Sequence, residues 1–324
     1  MRAIAVSALG AEPALTEVPK PEPGPGEVRV RVEYASLNPC DRQLTDGAPD
    51  TPPDGLAPQV FPLVVGVDFA GRVDMIGSGD NRFRVGDHVF GRTGGPAAGA
   101  GTYGDYVCVP QDSALTLVPR GLDARTAAAL PSAGMAAAQI LEALGPRGHD
   151  TLLVVGAAGG VGSCLTQLAR ARDVRVIAAV RGDERSRMGS LGAAATVDVG
   201  EGPPHDAVRA ACPDGIDALA DLASATPEAF AGHAAAVRPG GIALSTRGVA
   251  AGAALPGGVR GLDFRLDPTP VLLDVLAAGA ADGVLRVPID IELPLEKAPQ
   301  ALDRNRAGGA RGKTVIVLCE HGHC

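Results

Sequence analysis

The stretch Leu152-Leu153-Val154-Val155-Gly156-Ala157-Ala158-Gly159-Gly160-Val161-Gly162-Ser163 constrains this chain more than any other. Four apolar residues read as a buried strand, and a glycine cluster follows. From Val161 to Ala171 the pattern turns helical, with Val161, Leu165 and Leu168 on one face. Glycines let the backbone turn sharply and let a pyrophosphate approach the helix N-terminus, where free N–H groups and the helix dipole favour anions. Candidate strands at 152–155, 174–180, 196–199, 218–221 and 242–245 alternate with helical segments. That alternation predicts a parallel sheet covered by helices on both faces. In this context the turn reads as a dinucleotide site built on Gly156, Ala158, Gly159, Gly160, Val161 and Gly162. The competing reading is a tight strand-to-helix turn that holds no ligand.

The second strand bears on cofactor choice. An NAD site usually ends this strand with an acid that binds the ribose 2′-hydroxyl. Here it ends Ile177-Ala178-Ala179-Val180-Arg181-Gly182, and Arg185 follows one turn later. A guanidinium pairs well with a 2′-phosphate, so NADP(H) is expected over NAD(H). Asp183 and Glu184 lie just beyond and weigh the other way. Solvated surface arginines are the bland alternative.

The first part of the chain reads as β. Val28-Arg29-Val30-Arg31-Val32-Glu33-Tyr34 alternates apolar and charged residues, the period of a half-buried strand. Further strands are expected at 69–75, 88–91 and 105–109, separated by Gly-containing turns. Two loops, Asp46–Gln59 and Arg92–Gly101, carry no periodicity. After the parallel-sheet region come a helix near Pro270–Ala280, a strand at Leu285–Ile291, a helix at Leu295–Arg306 and a strand at Thr314–Cys319. These last 60 or so residues are too few for a domain of their own.

Composition sets outer limits. The chain has 324 residues, which fits two domains. Hydrophobic content of 46% is ample for a core. A net charge of −8 argues against a nucleic-acid partner. Among 29 basic residues only Lys20, Lys297 and Lys313 are lysines; this arginine bias resembles that of a GC-rich bacterial genome. No apolar run reaches membrane-spanning length, and no signal peptide is legible at the N-terminus. Six scattered cysteines without an export signal read as reduced thiols in a cytoplasm.

Further motifs follow in a fixed order. They are Asn38-Pro39-Cys40-Asp41, Gly66-Val67-Asp68-Phe69-Ala70-Gly71, Gly86-Asp87-His88-Val89-Phe90-Gly91 and Gly104-Asp105-Tyr106-Val107, then Leu130-Pro131-Ser132-Ala133-Gly134, Val237-Arg238-Pro239-Gly240-Gly241 and Gly312-Lys313-Thr314-Val315-Ile316. Together with the glycine turn they resemble the zinc-independent medium-chain dehydrogenase/reductase family, in its quinone oxidoreductase branch. The resemblance runs nearly end to end. It implies an α/β chain with a GroES-like β domain, 1–120 and 263–324, interrupted by a doubly wound Rossmann NADP(H)-binding domain, 121–262. The active site would lie in the cleft between domains, in a cytoplasmic homodimer acting on a small-molecule substrate.

Relatives with catalytic zinc hold it through a Cys near the place of Asn38 and a His near that of Val67. An amide and an aliphatic chain are not zinc ligands, and only Cys108 stands in the region of the four-cysteine structural lobe, so no metal is expected. The tail Cys319-Glu320-His321-Gly322-His323-Cys324 is too short to enclose an ion tetrahedrally. Without a Lewis acid and without a Tyr-x-x-x-Lys pair, hydride delivery to an already electrophilic acceptor remains, a quinone or an α,β-unsaturated carbonyl.

Asn38 is the first candidate to contact substrate or nicotinamide, because an amide both donates and accepts; a structural Asn-Pro turn is the alternative. Asp41 is expected to orient its neighbours, as an exposed aspartate is ionised near neutral pH. Tyr103 could donate a proton or simply pack. Thr246 and Arg247 follow the last Rossmann strand, where relatives meet the nicotinamide. Three places depart from the family: Ala136 stands where a cofactor-holding Thr is frequent, Gln43 where Lys or Tyr is, and Val199 where Tyr is. Each departure removes a polar contact. They leave open a protein that keeps the fold and binds NADPH without catalysis, and the arginine-rich composition leaves open a reductase of bacterial secondary metabolism.

Overall fold

The computed structural model of the chain describes residues 1–42, 61–94, 101–200, 208–210 and 212–319. Loop Asp46–Gln59, Gln43, most of loop Arg92–Gly101 and the tail beyond Cys319 lie outside them. The chain divides into two compact units, Met1–Ser132 with Pro268–Cys324, and Ala133–Asp267.

The first unit is largely antiparallel sheet. Strand β1 (Arg2–Val6) pairs with β2 (Ala14–Glu17) and β4 (Leu63–Val64). The larger sheet centres on β3 (Glu27–Ser36), which pairs with β5 (Asp68–Ile76) along one edge. Along the other it meets β7 (Tyr106–Pro110) and the C-terminal β16 (Lys313–Val317). Strand β6 (His88–Arg92) pairs with β5, and β15 (Ile289–Pro294) lies parallel to β16. Val28, Val30, Val32, Phe69, Val107, Leu115 and Ile316 are wholly or nearly buried and form its core. The alternation in β3 predicts a wet second face, yet Arg29 is only 5% exposed. Its guanidinium is bidentate to Asp74, at 2.8 and 3.1 Å, and bonds Glu22 at 2.9 Å, so a charged residue is covered because it is paired.

The second unit holds six parallel strands, β9 (Thr151–Val155), β10 (Arg175–Val180), β11 (Ala195–Asp198), β12 (Ile216–Asp221), β13 (Val237–Ser245) and β14 (Arg260–Asp263). Their spatial order is β11-β10-β9-β12-β13-β14, which is the doubly wound order with a switch point between the first and fourth strands. Every residue of β9 is buried, as expected for a central parallel strand. The sequence reading places five of these strands within a few residues and omits β14. In the C-terminal segment the expected strand at Leu285–Ile291 begins later, at Ile289.

Cys40, Cys108, Cys164 and Cys212 are outside any disulfide, whereas Cys319 is disulfide-bonded, against the expectation of reduced thiols throughout. No described helix is long and apolar enough to cross a membrane.

Candidate active site

In the first unit, strand register builds the site. Val315 of β16 faces Ser36 of β3, Ser36 faces Asp68 of β5, and Asp68 faces Arg92 of β6. One row across four strands thus gathers residues separated by hundreds of positions in sequence. Lys313 sits two places before Val315, on the same face of its strand. Its side chain is 4% exposed, and its ammonium donates to the Leu37 carbonyl at 2.8 Å and to Asn38 Oδ1 at 2.7 Å. Asp68 Oδ2 lies 3.7 Å from it.

A lysine can only donate, so Asn38 must turn its oxygen to Lys313 and its NH2 away. That NH2 donates to Asp68 Oδ2 at 2.9 Å and to the Ser36 carbonyl at 3.3 Å. Asp68 has no exposed surface. It also accepts from Ser132 Oγ at 2.6 Å and from the Ser132 amide at 3.2 Å. Arg92 Nε donates to Ser132 Oγ at 3.0 Å.

A short 3₁₀ turn, Pro39–Arg42, folds Asp41 back beneath Asn38. Asp41 Oδ2 accepts from the Asn38 amide at 2.7 Å and from the Tyr103 hydroxyl at 2.8 Å. The structure therefore brings Asn38, Asp41 and Tyr103 together. Asp41 is 1% exposed, not solvated as the sequence reading assumes. Burial pushes its carboxyl up to about 7, although the bonds from Asn38 and Tyr103 oppose the rise. Burial and Asp41 together drive the Tyr103 hydroxyl well above its usual range. The same two causes push the Cys40 thiol up to about 12, so it is no thiolate nucleophile at neutral pH.

A stability consequence follows with a definite sign. A carboxyl that holds its proton more tightly folded than unfolded makes stability fall as pH rises from about 4 to about 7, and leaves it level above. Asp41→Asn keeps an acceptor for Tyr103 and cannot ionise. Thermal melting across this window is expected to show a flatter profile and a higher midpoint than the parent at pH about 8. An unchanged pH profile in the variant counts against the assignment.

In the second unit, Gly156 turns the chain with φ +80°, a left-handed conformation that suits glycine. Helix α3 (Gly160–Arg170) starts at Gly159, which caps it without any side-chain bond. Its first N–H groups therefore have no partner within the helix. Gly162 is required by contact: a Cβ there would sit 2.5 Å from Ala157 Cα and 2.5 Å from the Gly156 carbonyl oxygen. Ala158 and Val161 lie on the same turn and first helical turn.

Arg181 is exposed just past β10, and Arg185 is exposed at the start of α4 (Arg185–Ser190). Neither of the two acids between them is seen paired with the Arg181 or Arg185 guanidinium. Asp183 Oδ1 accepts from the Arg185 amide at 3.2 Å, and the buried Glu184 pairs with Arg187 Nε at 2.6 Å. Arg187 also donates to the Ala158 carbonyl at 3.1 Å and so ties α4 to the glycine turn. The sequence reading misses Arg187; its spacing of three from Glu184 is the available signal.

Asp221 ends β12 and fixes the next loop. Its carboxylate accepts from the amides of Ala223 and Ser224, at 3.0 and 2.8 Å, from Ser224 Oγ at 2.7 Å and from His233 Nδ1 at 2.7 Å. Burial alone would raise its pKa, but the bonds from His233, Ser224 and Ala223 prevail and hold it below the usual range. The Thr246 amide bonds the Asp221 carbonyl at 3.1 Å, whereas Arg247 is exposed. Ala136 is buried in α2 (Pro131–Leu144), and its methyl offers no polar contact.

Residues 24–120 match the alcohol dehydrogenase GroES-like domain, and residues 191–316 match the zinc-binding dehydrogenase domain. The chain belongs to the medium-chain dehydrogenase/reductase family. Among members of this family, it is 28% identical to a chloroplast envelope quinone oxidoreductase homolog of Arabidopsis thaliana, over 93% of this chain and 92% of that protein. The quinone oxidoreductase of Coxiella burnetii has a similar structure, with TM-score 0.87, 26% identity, and coverage of 98% and 99% of the two chains. A mycobacterial protein complexed with NADPH is similar with TM-score 0.82 and 26% identity, covering 98% of this chain and 100% of that one. The chain is thus similar to oxidoreductases that use NAD(P)H. Despite the second domain's description, no group of three or more His, Cys, Asp or Glu residues is placed to hold a metal among the described residues.

Proposed function

We propose that the chain is an NADPH-dependent reductase of quinones or α,β-unsaturated carbonyl compounds. One observation carries the cofactor assignment. Arg181 and Arg185 stand at the tip of β10 with no carboxylate partner for either guanidinium among the described residues, because Asp183 and Glu184 bond elsewhere. Two free guanidinium groups suit a 2′-phosphate. The residues present fit a dinucleotide: the N-terminus of α3, which no side chain caps, would hold the pyrophosphate, and Gly162 lets helix and turn pack closely. The bound cofactor supplies a hydride.

The chain's own part is orientation. Lys313 and Asp68 lock the Asn38 amide, and buried Asp41 accepts a hydrogen bond from the Tyr103 hydroxyl. Ala136 favours a second reading, an NADPH binder without turnover, because a methyl stands where a cofactor contact would be expected.

Mixing the protein with NADPH and a panel of quinones, enones and enals separates the two. Loss of the cofactor's near-ultraviolet absorbance is expected. No loss with any acceptor, alongside tight NADPH binding, selects the second reading. Arg181→Ala is expected to weaken NADPH about tenfold or more by titration while leaving NADH nearly unchanged. Equal loss for both cofactors refutes the 2′-phosphate role.

A further inference from the structure

Counting donors and acceptors around the polar row separates groups that hold the site together from one that is left over. Asn38 is fully engaged as a donor, through Ser36 and Asp68, and its oxygen is held by Lys313. The Lys313 ammonium is shared among Leu37, Asn38 and Asp68. Asp68 holds Ser132 twice, and Asp41 holds Asn38 and Tyr103. The amide that the sequence marks first for substrate contact is therefore bound to its own chain.

Arg92 differs. A guanidinium carries five N–H donors in a planar fork. Nε donates to Ser132 Oγ at 3.0 Å, and Nη1 donates to the Thr93 carbonyl at 3.2 Å. The remaining N–H groups, both of those on Nη2 included, meet no acceptor among the described residues, and no described carboxylate pairs with Arg92. The side chain is half-buried at the end of the row, opposite Asp68. Two fixed bonds set the direction of the fork, so the free donors are held in place before any ligand arrives.

We propose that Arg92 binds the carbonyl oxygen of the acceptor and stabilises the negative charge that develops there. This deepens the reductase reading and rests on it. In that reaction the bound dinucleotide would give up a hydride from carbon, and the hydride would form a C–H bond at the β-carbon of an enone or an O–H bond at one oxygen of a quinone. The cofactor is oxidised by two electrons and the acceptor reduced by two. The π electron pair moves onto the carbonyl oxygen, giving an enolate from an enone or a hydroquinone monoanion from a quinone, and a proton from water completes the product. Arg92 gives up no proton in this step. Its contribution is charge and two-pronged geometry, so it selects acceptors whose oxygen becomes anionic.

Two measurements on the full-length protein test this. In the first, p-nitrophenol, whose anion absorbs visible light, is titrated into the parent, Arg92→Lys and Arg92→Gln with NADP+ present. The parent is expected to bind it as the anion at a pH where the free phenol is mostly protonated. Arg92→Gln should abolish that ionisation, and Arg92→Lys should keep part of it. In the second, steady-state reduction of a quinone or enone by Arg92→Gln should show kcat down about 100-fold with KM within about threefold, and added guanidinium ion should restore part of the rate. Melting curves and NADPH titration check that each variant is folded, and Arg92→Lys decides if Arg92→Gln is not. If the parent reduces no acceptor, the reductase reading fails while the phenol experiment still judges Arg92. If Arg92→Gln ionises the phenol as the parent does, or turns over at the parental rate, the assignment to Arg92 is overturned.

Discussion

Replacing Lys313 by methionine is expected to destabilise the first unit by about 3–5 kcal/mol. Methionine fills much the same volume, so the packing loss is small and the polar loss dominates. The Leu37 carbonyl and Asn38 Oδ1 would lose donors at 2.8 and 2.7 Å. A buried acceptor left without a partner costs about 1–3 kcal/mol. Asp68, with no exposed surface, would also lose the cation that balances it. Freed from Lys313, the Asn38 amide could rotate, and the bond to Asp68 at 2.9 Å would no longer have a fixed direction. The rate of the proposed reduction should therefore fall as well, with a larger effect on kcat than on KM.

A double-mutant cycle separates pairing from bulk. Asn38→Leu alone and Lys313→Met alone each strand a buried polar group, while the double variant strands fewer. Their costs should fall short of additive by about 1–3 kcal/mol. Strict additivity, or a single variant that melts with the parent, contradicts the clamp.

The parallel sheet was legible because its signals are local. Central strands are continuous apolar runs, and the turn after β9 announces itself by its glycines. The edge strand β14, with the sequence Arg-Gly-Leu-Asp, has no apolar run and pairs only with β13, so nothing local marks it. The site was half legible for the same reason. Asn38 and Asp41 are neighbours in sequence. Asp68, Ser132 and Lys313 fall within motifs that carry the family resemblance, yet none had a readable role. Their meeting depends on register across β16, β3, β5 and β6, which is fixed by nonlocal pairing. Burial is equally nonlocal. Asp41 looks like any surface aspartate until the 3₁₀ turn and Tyr103 enclose it, and its chemistry changes with that enclosure.

Gly162→Ala is expected to lower both the stability of the second unit and its affinity for NADPH. Intrinsic propensity argues the other way, since alanine is favoured over glycine inside a helix by about 1 kcal/mol. Contact decides the sign. The added methyl would stand 2.5 Å from Ala157 Cα, 2.5 Å from the Gly156 carbonyl oxygen and 2.7 Å from the Ala157 carbonyl oxygen. All three atoms are backbone, so no side chain can swing aside, and α3 must move off the turn. Overpacking of this kind costs about 1–3 kcal/mol, which exceeds the propensity gain. The displacement also moves the first N–H groups of α3, the proposed anion site, so NADPH affinity should drop about tenfold or more. Gly232→Ala supplies the matched comparison. It lies within helix α5 (Pro227–Ala234), and a Cβ there meets nothing within 4 Å. That substitution should raise the melting temperature and leave NADPH binding unchanged. Opposite signs for the two glycines, read by melting and by titration, would establish close approach as the reason for Gly162. A Gly162→Ala protein that melts higher and binds NADPH as before would show that the turn and the helix are not tightly packed, and would remove the steric basis of the dinucleotide assignment.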